Sequence, residues 1–579
     1  MIKEGPEEAH ASYYDLLASV YRQAGCKADC IAAHKTALQE CSHLVRDRLD
    51  RAGLTIRSNY ADSLCHFDER DQAAEVMEKL LDDQLAAVNG SILRSSNATS
   101  IKLGSALNRS LDRLLDALRE ADPSPDLSRR AYKYVLAVRG IASRAIQTRR
   151  ELANSKQWSE LVALRERQRQ PCSDSDDPDL LAKRVEQLEA ELSSTNARLE
   201  PLQPAMFKET LPKGTAVVEF LKSRDSSKPK GPIECYDAFV LTANQKGVVV
   251  EWIPLGEAGR VDSLIKIWRR DLTKPVKSDG GPRLDAVQRM PNVDEFEQPS
   301  VELRGLLWEP LSLGDIKHVV VCPDGPLALL PWNALPGETS GRFLIHEHDI
   351  DVRLFASRLP NAQSRTKPEN PVLLTIGDLD YGPTGQDSTV LTSWEPLPAL
   401  ASEIADLQQI WASANGGEVR TLSGADATLQ ATKVALEAAT VAHVATHGFQ
   451  IGKDEAGLVL SHANDQPVAD TILRADTVAD LDLSGMRLAV LSACDSGLGN
   501  SVVGEGIFSM QRRFLQAGTQ AVVASLWKVD DAEANRLMQS FFEQAIAEGA
   551  SYSDALRAAQ RTLAGKLPPS AWAAWSLMQ

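Results

Sequence analysis

Apolar and polar positions recur along this chain with two different periods, and the change from one to the other divides it. Up to about residue 135, apolar side chains return every three to four positions, the spacing of helices that bury one face. Leu17, Ala18, Tyr21, Gly25, Cys30, His34 and Ala37 fall on the spacing of a helix pair across 12–39. Tyr60, Ala61, Leu64, Ala73, Met77 and Leu80 repeat the arrangement further along. Helical patterning continues through 136–203, broken by the acidic stretch Cys172-Ser-Asp-Ser-Asp-Asp-Pro178, which reads as a surface loop. Beyond it Leu181, Val185, Leu188, Leu192 and Leu199 follow a heptad-like spacing. The run is too short for a coiled coil and predicts one long helix docked on a neighbour.

At Leu211 the period shortens. Segments 216–220, 236–241 and 248–253 are rich in β-branched and aromatic residues and are separated by turn-like stretches. A helix near 261–272 and a Gly/Pro-rich loop through 274–300 follow. From 317 onward short apolar strands (318–322, 372–376, 418–422, 441–446, 487–492 and 520–525) alternate with helices near 399–413, 427–438 and 505–517. Runs as continuously apolar as Leu488-Ala-Val-Leu491 and Ala521-Val-Val-Ala524 belong to strands covered on both faces. The pattern predicts a mostly parallel sheet flanked by helices, closed by amphipathic helices at 531–547 and 552–564. The expected division is a helical region 1–135, a helical linker 136–204, a β-rich part 205–316 and an α/β part 317–579.

Composition narrows the function classes. The net charge is −16 and the pI about 5.2, which argues against nucleic acid or an anionic membrane as a direct partner, since both want a basic surface. The first residues, MIKEGPEEAHASYYDLL, carry acids where a leader peptide needs an apolar core, and no apolar run approaches the ~20 residues of a membrane span. The expectation is a soluble, cytoplasmic protein. Its 8 cysteines are too few and scattered for a disulfide scaffold, and no CxxC pair exists. Cys26, Cys30 and His34 share one helix face, but a closed zinc site needs a fourth ligand, so they read as helix packing rather than metal. The two N-terminal matches fit a degenerate tetratricopeptide (TPR) repeat, their offset being longer than the usual period of about 34 residues. Such repeats present a concave surface to another protein.

Ligands of open parallel sheets bind at the carboxyl ends of the strands. Two of the predicted strands end in reactive groups: one in His447-Gly448, the other in Cys494-Asp495-Ser496-Gly497. An imidazole beside a thiol takes its proton and later returns it to a leaving amine. The N–H groups of Gly448 and Cys494 would face a tetrahedral oxyanion. His443 shares a strand face with His447 by even spacing, which suits packing or orientation and leaves room for a supporting role. Cys322 ends a strand with no histidine beside it and reads as core.

The blocks around these residues resemble the CHAT domain, a caspase-like cysteine peptidase fold related to separases and caspases and often joined to TPR repeats. They are Val321-Cys-Pro-Asp-Gly-Pro-Leu-Ala-Leu-Leu-Pro-Trp-Asn-Ala-Leu335, Gly377-Asp-Leu-Asp-Tyr381, Leu397-Pro-Ala-Leu-Ala-Ser-Glu403, Val441-Ala-His-Val-Ala-Thr-His-Gly448 and Leu491-Ser-Ala-Cys-Asp-Ser-Gly497. Glu505-Gly, Phe514-Leu-Gln-Ala-Gly518, Ala524-Ser-Leu-Trp-Lys-Val529 and Ala571-Trp-Ala-Ala-Trp575 complete the order over about 205–579. The resemblance implies His447 as general base, Cys494 as nucleophile, 205–316 as a degenerate pseudo-caspase half, and no metal or organic cofactor. By analogy with legumain, Asp495 would line the pocket for a basic or amide P1 side chain; a loop hydrogen bond serves equally well. Glu505 at a helix start fits the helix dipole as well as substrate. The implied protein is a regulated endopeptidase with a protein substrate and an activating partner on its N-terminal helices, a type associated with prokaryotic defence. A catalytically silent scaffold and a hydrolase or transferase acting on small amides are the rival readings.

Overall fold

A computed structural model describes the chain except residues 1–5, 43–50, 120–123, 153–154, 170–176, 192–197, 200–201, 203, 208–210, 226–230, 245–246, 274–292, 357–368, 382–393, 395–396, 398, 415, 452–454, 463–470, 493–498, 503–505 and 530. For some further residues, 293–297, 449–451 and 499–509 among them, only the backbone is described. Two compact units emerge, one from 1–209 and 221–258, the other from 210–220, 259–502 and 506–579.

The first unit begins with two helical hairpins, α1 (Pro6–Gln23) with α2 (Lys27–Ser42) and α3 (Arg51–His66) with α4 (Arg70–Ser91). Gly25, at φ 72°, makes the first turn in a left-handed conformation that L residues avoid. Small buried residues let these helices approach closely: Ala18, Cys30 and Ala33 form one cluster against Tyr21 and Phe67, and Ala11, Ala37, Cys41 and Ile56 another. Buried His34 lies 2.9 Å from Ser63 Oγ through Nε2 and 3.2 Å from Asp15 Oδ1 through Nδ1, so one imidazole joins α1, α2 and α3. Cys26 is exposed and Cys30 buried, and among the described residues no group of His, Cys, Asp and Glu is placed to hold a metal.

The unit continues through α5 (Asn97–Arg119), α6 (Pro125–Val138), α7 (Ile141–Leu152), α8 (Ser155–Arg169) and α9 (Pro178–Glu191). The long helix expected after Pro178 is shorter than its spacing suggested. Val185 and Leu188 pack on Leu161 of α8, whereas Leu199 is buried outside any helix with its N–H on the Asn89 carbonyl at 3.4 Å. A hairpin of β2 (Ile233–Asn244) and β3 (Gly247–Glu257) follows the end of β1 (Thr215–Asp225) and packs on α6, Tyr132 against Phe239 and Phe239 stacked on Trp252.

The second unit is built on one sheet. Its strands are the start of β1, β4 (His318–Cys322), β5 (Asp349–Val352), β6 (Val372–Leu379), β7 (Glu418–Gly424), β8 (Val441–Ala445), β12 (Leu488–Ser492), β15 (Val522–Ser525) and β16 (Trp575–Met578). They lie in the order β1-β4-β5-β16-β15-β12-β8-β6-β7, every neighbouring pair parallel except β15 with β16. On one face Ala442, Val444, Ala489, Leu491, Val522 and Ala524 bury against Leu436, Val478, Met510 and Phe514. On the other lie helices Ala399–Ser413 and Asp531–Phe542, whose Glu403 and Phe542 meet His443 of β8. The architecture is thus a helical region followed by a mostly parallel sheet flanked by helices. Beyond β8, β9 (Gly448–Ile451), β10 (Glu455–Val459) and β11 (Ile472–Arg474) make a small antiparallel sheet, and β13 (Gly499–Val502) pairs with β14 (Gly506–Ser509). The helix expected from 505 starts only at Met510, because Gly506-Ile-Phe-Ser509 suits an extended strand better than a helical turn. Among the described residues no helix is long and apolar enough to cross a membrane.

Candidate active site

β8 and β12 are parallel neighbours in register, with Val490 opposite His443 and Ser492 opposite Ala445. Their carboxyl ends open at the same edge, where parallel sheets receive ligands. β8 stops at Ala445, so strand alternation does not carry through to residue 447, and His443 and His447 have different surroundings. Thr446 is buried; its hydroxyl donates to the Val459 carbonyl at 2.6 Å and lies 3.0 Å from the Tyr381 phenol. With that proton committed, the Tyr381 O–H is the donor to Thr446. Burial raises the phenol's pKa and keeps it protonated.

His447 follows, half-buried, with its carbonyl accepting from the Val459 N–H at 2.8 Å. Its imidazole sits between two aromatic rings, Tyr381 at 5.2 Å and Trp394 at 5.0 Å between centroids. Gly448 opens β9 opposite Leu458. Cys494 and Asp495 lie outside the described residues, as does Glu505. Cys322 is fully buried on β4.

His443 has no exposed surface. Its Nε2 stands 2.8 Å from Glu403 Oε1, and its ring meets Phe542 edge-on at 5.5 Å. Burial lowers its pKa to about 4, so the ring is neutral at neutral pH. Glu403, buried too, accepts from the Ser492 hydroxyl, 3.2 Å from Oε1 and 3.5 Å from Oε2. Sequence reasoning did not assign functions to Glu403, Ser492, Tyr381 or Trp394. Three of them stand inside recognisable blocks (Leu397 to Glu403, Leu491 to Gly497, Gly377 to Tyr381), but only the fold shows that they meet. The Pro323-Asp-Gly block has a structural role here: Asp324 caps the turn after β4 by accepting from the Gly325 N–H at 2.9 Å, and Trp332 stacks on Phe220.

Residues 297–579 match the family model of the CHAT domain. Tetratricopeptide repeat protein 28 of Mus musculus is 24% identical over 314 residues, covering 47% of this chain and 12% of that protein. Its Homo sapiens counterpart is 24% identical over 321 residues with the same coverage. The chain therefore corresponds to a small part of the curated relatives it matches. Among solved structures, a chain of the Saccharomyces cerevisiae separase–securin complex aligns with 98% of this chain and 46% of its own length, at a TM-score of 0.43 and 10% identity. A chain of the Porphyromonas gingivalis RgpB pro- and mature-domain complex aligns with 55% of this chain and 75% of its own, at a TM-score of 0.27 and 12% identity. Behind an N-terminal region of paired, TPR-like helices, residues 297–579 of this chain are thus similar to the CHAT domain.

Proposed function

We propose that the chain is a cysteine endopeptidase in which His447 is the general base and Cys494 the nucleophile. The pairing of β8 with β12 carries the reading. Ser492 lies opposite Ala445, and each candidate follows its strand by two residues, a length of chain that reaches at most ~7 Å. Neighbouring strands are ~4.8 Å apart, and this short span supports reading the two residues as one site.

In this scheme the imidazole takes the thiol proton and the thiolate attacks the substrate carbonyl. The N–H groups of Gly448 and Cys494 hold the resulting oxyanion. The imidazolium returns its proton to the leaving amine, and water then releases the acyl group from sulfur with His447 again as base. The Tyr381 and Trp394 rings, 5.2 and 5.0 Å from the imidazole between centroids, flank it and limit the orientations it can take. No metal or organic cofactor is required. Asp495, next to the nucleophile, is the candidate acid for a basic P1 side chain. The paired N-terminal helices are the surface for an activating protein, and a reducing cytoplasm with a defence role is the setting this reading favours.

The test compares new protein N-termini in a lysate treated with wild-type or Cys494→Ala protein, with and without candidate activators. Wild-type-specific termini sharing one P1 side chain are expected, and Cys494→Ala should lose them completely while keeping its circular dichroism spectrum. Equal cleavage by both proteins removes the mechanism. No cleavage under any condition, together with a Cys494 that resists alkylation, favours a scaffold.

A further inference from the structure

Below the candidate dyad three polar side chains, Glu403, His443 and Ser492, meet on the face of the sheet that carries helix Ala399–Ser413. Glu403 and His443 are buried, and Ser492 is half-buried beside them. Taking a carboxylate out of water costs several kcal/mol unless its partners are well arranged, and an apolar residue of similar volume would pack such a position as well or better. The arrangement of the partners suggests why the carboxylate is there. Ser492 is two residues before Cys494 on β12, and His443 is four residues before His447 on β8. Glu403 touches both, from the helix Ala399–Ser413. The chain entering that helix supplies Trp394, which lies on the His447 ring.

We propose that Glu403 is a positioning residue for the dyad. Its carboxylate links β12 through Ser492 to β8 through His443 and fixes the height at which the two strands deliver Cys494 and His447. The proposal rests on the peptidase reading of those two residues. Proton transfer from thiol to imidazole tolerates little misplacement, and an error of ~1 Å can cost on the order of a hundredfold in rate. The link acts through contacts rather than charge. A negative charge near a thiol disfavours the thiolate, so losing the charge alone would raise Cys494 reactivity, whereas losing the link lowers it.

The sign of the change therefore decides. The full-length protein is labelled with iodoacetamide at about pH 6, and the rate at Cys494 is read by peptide mass spectrometry with exposed Cys26 as internal reference. Wild-type Cys494 should label faster than Cys26, and His447→Ala should remove the difference. Glu403→Ala and Ser492→Ala should each slow Cys494 about tenfold, equivalent to one unit of thiol pKa. Glu403→Gln, which still accepts from Ser492, should recover labelling to within about threefold of wild type. Wild-type rates in both Glu403→Ala and Ser492→Ala, even with lowered melting temperatures, would make the cluster mere packing and overturn the proposal. So would faster labelling in the two Glu403 variants. If Glu403→Ala does not fold, Ser492→Ala, which removes one hydroxyl, decides alone. A wild-type Cys494 no faster than Cys26 and unchanged by His447→Ala means that the dyad itself is absent, and the peptidase reading fails with the proposal.

Discussion

Gly377 lies in β6 at its register shift between Ile376 and Leu379, facing Ile404 of helix Ala399–Ser413. A Cβ there would stand 2.5 Å from Ile404 Cδ1 and 3.2 Å from the Ala445 carbonyl oxygen. Gly377→Ala must push Ile404, the neighbour of Glu403, outward. It should destabilise the protein by about 1–3 kcal/mol, read as a lower urea midpoint with an unchanged slope. His443 has a pH signature of its own. Its folded pKa of about 4 lies below the ordinary ~6.5 of an unfolded histidine, so between these values the unfolded chain binds more protons. Stability is then present at neutral pH and lost as pH falls through that window, by up to about 3 kcal/mol. His443→Gln should flatten this part of the curve in melts taken between about pH 7 and pH 4.5. At this scale the sequence singled out His443 by spacing alone. Glu403 could not be read as its partner, because the contacts to His443 and Ser492 bridge segments far apart in the chain.

Elements show a similar division between what patterning carries and what only assembly reveals. The helix Ala399–Ser413 and the strands β4 and β8 lie where apolar periodicity puts them, since their buried faces repeat regularly. β5 was not legible: Asp349-Ile-Asp-Val352 carries two carboxylates, an unusual content for a strand inside a sheet. It is tolerated because Asp351 lies 2.9 Å from His318 Nε2 and is also bonded by the Arg557 guanidinium. The first unit uses charge in a comparable way. Arg119 of α5 bonds Ser223 and Asp237, and Asp112 accepts from the Arg224 N–H at 3.2 Å. Burial pushes the Asp112 carboxyl up to about 7, only partly countered by that N–H. Since the folded pKa lies above the unfolded ~3.9, the folded unit binds more protons between them, and its stability falls as pH rises from about 4 to 7. Asp112→Asn should remove this slope, leaving a melting temperature that changes less than wild type between about pH 5 and pH 7.5.

At the scale of the whole chain, the order in which strands enter the second unit matters as much as their positions. β16, from residues 575–578, does not sit at an edge of the sheet. It lies between β5 and β15, antiparallel to β15, and so joins the strands made early to those made late. Periodicity could not anticipate this, because a four-residue strand after Ala571-Trp-Ala-Ala reads as the tail of a helix. During synthesis, β4 and β5 leave the ribosome long before β8 and β12, and every strand except β16 is complete while the sheet is still in two pieces. The edge that carries His447 and Ser492 therefore gains its far support only when residues 575–578 are free of the ribosomal tunnel. A chain interrupted anywhere before that point would hold His447 and Ser492 without the finished sheet behind them. Position in sequence thus acts as a clock, leaving the two halves of this sheet unjoined until a strand made after all their others is in place.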